Sequence, residues 1–172
     1  MTQITLTYTA NGDCGVGVAG TLFIGCEPHR LAFDSDSNAH LTSTLMNHEE
    51  ELVKAFFLPV RQERYLEFLK TPKKRAKFLD RLGHFKHLNP RFVLSIPGNQ
   101  QHPAPLRQLL TAMGAKSKCW VISENSIIDG REMDLQTALE ETLGCQMGTF
   151  LSCVPGKLVY FEDEDGRCIL QR

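Results

Sequence analysis

The sequence predicts an α+β protein: an N-terminal helical segment packed on a mixed sheet of about five strands, with helices on one face and a three-stranded meander at the end. Three observations carry this. Apolar residues recur at helical spacing from Leu52 to Leu82. Between residues 91 and 144, β-prone runs alternate with two amphipathic segments. Three β-prone runs, "TFLSCV", "KLVYFE" and "RCILQ", then follow one another with only turn residues between them.

Residues 1–45 stand apart. They are rich in Gly, Thr, Ser and Asp and carry one basic residue, Arg30. "ITLTYTA" alternates like a strand and "GTLFIG" is a short apolar run. "FDSDSNAHLTST" reads as a polar linker. The expectation is a β-prone N-terminal extension, 1–45, on a single α+β domain, 46–172, with a basic helical part (46–91) and a sheet part (92–172). Met46 directly precedes a helix start, so the native chain is expected to begin there.

Asn47 is a cap for that helix, and Glu50 stands three residues later, where its side chain can reach back. Leu52, Val53, Phe56 and Phe57 form its apolar face. Pro59 ends it or opens the next helix. Tyr65, Leu66 and Leu69 then share a face. Thr71-Pro72 is a second cap with proline at the first helical position. Phe78, Leu79 and Leu82 give the third helix its inner face, and Gly83 closes it. After Asn89-Pro90, "RFVLSIP" reads as a strand. "PAPLRQLLTAMG" is a helix that turns Leu106, Leu109, Leu110 and Met113 inward and stops at Gly114. "KCWVIS" is a strand, "ENSIIDGREM" a loop, and "DLQTALEETLG" a helix capped by Asp134 and stopped by Gly144. Val154-Pro155-Gly156-Lys157 suits a type II turn, and Asp165-Gly166 signals a hairpin.

Composition is that of an ordinary globular chain, 42% hydrophobic and 23% charged. No apolar run approaches the ~20 residues needed to cross a bilayer, so no membrane role is expected. The first residues lack a basic and then apolar leader pattern, which argues against secretion. Six cysteines show no C-x-x-C pair and no zinc-module spacing. Cys119, Cys153 and Cys168 lie in apolar runs. They read as reduced, mostly buried thiols of a cytoplasmic protein.

Gly15, Gly17 and Gly20 spell G-x-G-x-x-G, yet no helix pattern follows Gly20. A dinucleotide site needs that helix for its amide donors and dipole. Gly25 and Pro28 interrupt the segment that does follow, so the glycines read as a loosened strand, and Asp34 as unrelated to a ribose. No motif calls for a cofactor or a metal.

Charge is unevenly spread. Net charge is −1, but residues 54–91 carry eleven Lys/Arg against three acids, and 119–172 carry four against ten. Either the two parts attract each other, or each offers a surface of one sign. Lys73, Lys74 and Arg75 fall in the first turn of a helix, where cations are slightly unfavourable, by a few tenths of a kcal/mol each. With Lys77 and Arg81 they define a candidate binding face for an acidic protein or a nucleic-acid backbone. No helix-turn-helix, RNP, KH or zinc-finger pattern accompanies them.

A second candidate is the loop "SENSIIDGREMD". Glu124, Asp129 and Glu132 are candidate acid/base groups or metal oxygen ligands there, and Arg131 a candidate anion grip. Against this, Asp129-Gly130 is a common turn and Arg131 suits a neighbouring acid. Three weaker candidates are a Cys153–His102 nucleophile pair, His84 with His87 in a helix-like segment, and the acidic turn at 162–166. The leading expectation is a binding protein acting through its basic helices. The alternative is a small hydrolase or transferase centred on the 123–132 loop. A structural role in an assembly would instead require an apolar patch on the helices from Asn47 to Leu69. Oligomeric state is not legible.

Overall fold

The computed structural model describes residues 48–172; the Gly15–Gly20 stretch, the expected extension, Met46 and the Asn47 cap lie outside them. A helix covers 48–56 (α1). It is followed by α2 (Pro59–Leu69), α3 (Pro72–Leu79), β1 (Val93–Ser95), α4 (Pro103–Ala112), β2 (Lys118–Ser123), β3 (Arg131–Asp134), α5 (Leu135–Thr142), β4 (Thr149–Val154), β5 (Leu158–Asp163) and β6 (Gly166–Gln171). The fold is α+β, and β4, β5 and β6 form the closing meander.

The strands form one six-stranded sheet, ordered β1-β6-β5-β4-β2-β3, in which every neighbouring pair is antiparallel. The expected mixed sheet is corrected on this point. The strands joined through α4 (β1 and β2) and through α5 (β3 and β4) do run in the same direction. Each such pair is separated by antiparallel strands, so no parallel ladder forms. The additional strand, β3, is the polar "REMD", with three of its four residues exposed. Its register Cys119↔Met133 and Val121↔Arg131 comes from the hairpin with β2, not from an apolar alternation visible in the sequence.

Helices cover both faces, not one. Trp120, Ile122, Phe150, Val159, Phe161 and Leu170 meet the 48–82 segment through Leu52, Phe56, Phe57, Tyr65, Phe78 and Leu82. The alternate set, among it Val121, Leu151, Tyr160 and Ile169, meets Leu106 and Leu110 of α4 and Leu135 and Leu139 of α5. This explains why β2, β4 and β5 read as almost unbroken apolar runs: a strand buried on both sides has no polar face to alternate. The α1–α3 side is aromatic. Phe150 stacks on Phe161 with centroids 4.2 Å apart, and Phe57 meets Tyr65 edge-on at 4.9 Å.

Local signals explain the ends of these elements. Thr71 and Asp134 cap α3 and α5 with their side chains. Gly114 has φ +105° and ends α4 in a Schellman motif: its N–H donates to the Thr111 carbonyl, and that of Ala115 to the Leu110 carbonyl. The Lys157 N–H donates to the Val154 carbonyl, with Gly156 at φ +65°, as a type II turn requires. In the β5–β6 hairpin Asp163 pairs with Gly166, so Glu164 and Asp165 are the turn residues, one position earlier than the Asp-Gly signal implied. Asp163 fixes that turn by accepting from the N–H groups of Asp165 and Gly166. α3 stops at Leu79, and residues 83–89 form no helix. They run beside the end of α1, where Leu58 N–H donates to the His87 carbonyl and Asn89 N–H to the Phe56 carbonyl.

Candidate anion-binding groove

The first-turn cations of α3 do not act together. Lys73 is exposed and makes no ion pair among the described residues. Lys74 shares the Glu67 carboxylate with Lys70. Hydrogen bonds from Lys70 and Lys74 hold Glu67 at about 2, far below its usual range. Arg75 points inward. Its Nε donates to Glu49 Oε1 at 2.8 Å, and its fork takes Asp129 through Nη1–Oδ2 at 2.6 Å and Nη2–Oδ1 at 3.0 Å. Glu49 is 1% exposed. Burial pushes its carboxyl pKa up against the pull of Arg75. Burial likewise opposes the Arg75 charge, but Asp129 and Glu49 outweigh it and raise its pKa. Arg75 therefore ties α1, α3 and the β2–β3 loop together and is withdrawn from the binding face. Its two carboxylates come from both parts of the chain. Lys77 is exposed without an ion pair among the described residues. Arg131, the candidate anion grip of the loop, lies on β3. It pairs across from Val121 and so projects to the α4–α5 side of the sheet.

The carboxylates of the β2–β3 loop diverge. Glu124 accepts from the backbone N–H of Gly83 at 2.9 Å and of Gly148 at 2.8 Å. Asp129 is held by Arg75 and by the Ser123 N–H. Glu132 pairs with Lys118 on the exposed side of the hairpin. No spot is faced by two of them, so an acid/base pair is not assembled. The loop is an internally bonded connector: Asn125 N–H donates to Ser123 Oγ, Ile127 N–H to Asn125 Oδ1, and Gly130, at φ +66°, to the Val121 carbonyl. No cluster of three or more His, Cys, Asp or Glu is placed to hold a metal among the described residues.

The weaker candidates also separate. His102 is exposed at the start of α4. Cys153 is 6% exposed, and burial pushes its thiol pKa up, the opposite of what a nucleophile needs. Cys153 is also the extra residue where the β4–β5 register shifts. His84 is exposed beside Glu164 and Asp165. Of the large apolar residues on α1 and α2, only Val60 is exposed among the described residues, so no apolar patch forms there.

What the structure does bring together is a groove beside Tyr65 and the 80–87 segment, with cations and carboxylates both in its walls. Its volume is about 420 Å³, and its walls include Tyr65, Arg81, Lys86 and His87. The Tyr65 hydroxyl lies 2.8 Å from His87 Nδ1. Burial, and then the charges of Arg61, Arg64 and Arg81, lower the His87 pKa. Burial raises that of Tyr65, with the same arginines opposing. Arg64 and Arg81 both stand over the Phe68 ring, 5.6 and 5.2 Å from its centroid. Among the described residues no carboxylate lies within ion-pair distance of Arg61, Arg64 or Arg81. Asp80, Glu124 and Glu164 line the rest of the groove.

Sequence reading placed Arg81 in the basic face but missed Arg61, Arg64, Tyr65 and His87 as a group. The available signal was Tyr65 itself. A tyrosine on the buried face of a helix needs a partner for its hydroxyl, and the tip of Tyr65 is where that partner, His87, is found.

Comparison with protein-family models, curated proteins and solved structures finds no match for this chain.

Proposed function

We propose that this protein is a binding protein that contacts an acidic partner through the outer surface of α2 and the 80–87 segment. One observation carries the reading. Lys54, Lys70, Lys74 and Arg75 are paired with carboxylates and Lys73 and Lys77 stand unpaired on α3, whereas Arg61, Arg64 and Arg81 are left without a carboxylate among the described residues and lie together near Tyr65, Phe68 and His87. Uncompensated guanidinium groups repel one another, an arrangement that an external anion relieves. Planar forks suit carboxylate or phosphate oxygens. The enzyme alternative finds no such support, because Glu124, Asp129 and Glu132 each serve a separate structural contact.

We place the protein in the cytoplasm. The four described cysteines are unpaired, and Cys119 and Cys168 have thiol pKa values pushed up to about 12 by burial, as suits inert reduced thiols. Among the described residues no helix is long and apolar enough to cross a membrane.

The test is binding of poly-glutamate and of duplex DNA, by fluorescence anisotropy at low and high salt. The expected result is salt-dependent binding that falls at least about tenfold when Arg61, Arg64 and Arg81 are all replaced by glutamine. No detectable binding at low salt, or binding unchanged in the triple variant, contradicts the proposal.

A further inference from the structure

We propose that the surface where Arg61, Arg64 and Arg81 surround Tyr65 and His87 seats a phosphate monoester carried on a side chain of a partner protein, with the three arginines meeting its charge and His87 facing one of its oxygens. This rests on the surface reading above and goes further by naming the anion and its carrier.

Charge is the first argument. A carboxylate brings one negative charge and is satisfied by a single arginine. Three guanidinium groups without a described partner match a group that carries about −1.5 to −2 and three strong acceptor oxygens. Hydrogen bonding is the second. Tyr65 carries an O–H and His87 Nδ1 lies 2.8 Å from it. With the hydroxyl donating to Nδ1, the neutral ring carries its proton on Nε2, and that nitrogen is a donor. A phosphate oxygen is an acceptor that this donor suits.

The surroundings favour a protein carrier over a nucleic acid. Recognition of single strands relies on exposed aromatic rings for stacking. No aromatic residue is among the exposed large apolar side chains described, and Phe68 already has two guanidinium groups over its ring. Val60, in contrast, is 84% exposed, one helical turn from Arg64 on the same face of α2. An apolar side chain beside an arginine cluster fits a peptide, in which an apolar residue flanks the phosphorylated one.

The experiment uses the full chain with 15N-labelled histidine. It is titrated with a short peptide carrying one phosphoserine, with the same peptide carrying Ser or Glu instead, and with a 5′-phosphorylated oligonucleotide. The expected result is a shift of the His87 ring nitrogens on adding the phosphopeptide, and affinity at least about tenfold above that for the Glu peptide. Arg81→Gln, a change at an exposed residue, removes that preference, and Lys73→Gln leaves it intact. Unmoved His87 nitrogens, equal affinity for the Glu peptide, or tighter binding of the oligonucleotide overturns the inference. Poly-glutamate separates the two levels. If it still binds while the phosphopeptide shows no preference, only the phosphate assignment falls; if neither binds, the surface reading falls with it.

Discussion

Arg75 grips Asp129 with two parallel hydrogen bonds, Nη1 to Oδ2 at 2.6 Å and Nη2 to Oδ1 at 3.0 Å, across 54 residues of chain. The contact decides how the basic segment is to be read. A cation at the start of an exposed helix is, by sequence, a surface charge. Here it is an internal tie, and the arginines left without a described partner near Tyr65 and His87 are Arg61 and Arg64 of α2 and Arg81 after α3.

The tie can be measured. Arg75→Met removes the counter-charge of Glu49, which is 1% exposed, and of Asp129, and is expected to lower unfolding free energy by about 3 kcal/mol. Lys73→Met is expected to stay within about 0.5 kcal/mol of the parent. Adding Glu49→Gln to Arg75→Met recovers part of the loss, because the stranded carboxylate is gone. Urea unfolding reads all three, and equal losses at positions 73 and 75 contradict the assignment.

Glu124 is read as structural. It satisfies two backbone amides at once, so Glu124→Ala is expected to destabilise by about 2–4 kcal/mol. Its neighbour Gly148 has no room for a side chain: a Cβ there would lie 2.2 Å from the Leu82 carbonyl carbon and 2.6 Å from the Gly83 nitrogen. Gly148→Ala is expected to reduce stability by several kcal/mol through this overlap. A fully stable Gly148→Ala protein would show that 82–83 and 148 are not in contact.

The thiols offer a chemical check. Burial pushes the Cys119 and Cys168 thiols up to about 12, so both stay protonated at pH 8. Cys145 is exposed. Brief alkylation of the native protein followed by peptide mapping is expected to modify Cys145 and spare Cys119, Cys153 and Cys168.

Asp163 gives a pH signature. Burial raises its pKa, against the pull of the Phe85, Asp165 and Gly166 amides. A carboxyl raised in the fold holds its proton more tightly there than in the unfolded chain. Its contribution is therefore most favourable below the unfolded value, near 3.8, and is lost as pH rises through the higher folded value. The stability advantage of the parent over Asp163→Asn should accordingly be largest near pH 3 and shrink towards pH 7. An advantage that grows with pH reverses the assigned direction.

Much of the fold was legible because local signals and burial agreed. Asp134, Thr71, Gly114 and the Val154–Lys157 turn were read from residue chemistry alone, and each does what its chemistry implies. Leu52, Val53, Phe56 and Phe57 are fully buried, as their spacing required. The polar strand β3 escaped notice because an edge strand with one half-buried residue has no apolar period. The second helical layer escaped notice because strand runs buried on both faces do not say which helix covers which side. For the site, charge counting located the basic segment but not its free part. Pairing with Glu49, Asp129 and Glu67 is a property of the folded chain, and it inverts the ranking of Arg75 against Arg61 and Arg64.

The most direct measurement of the central claim is the affinity of poly-glutamate for the protein at low salt, compared between the Arg61, Arg64, Arg81 to glutamine triple variant and a Lys73, Lys77 to glutamine double variant. A loss of at least about tenfold in the triple variant with little change in the double variant is the predicted result. Equal losses in the two, or none in either, would contradict the placement of the binding surface on α2 and the 80–87 segment.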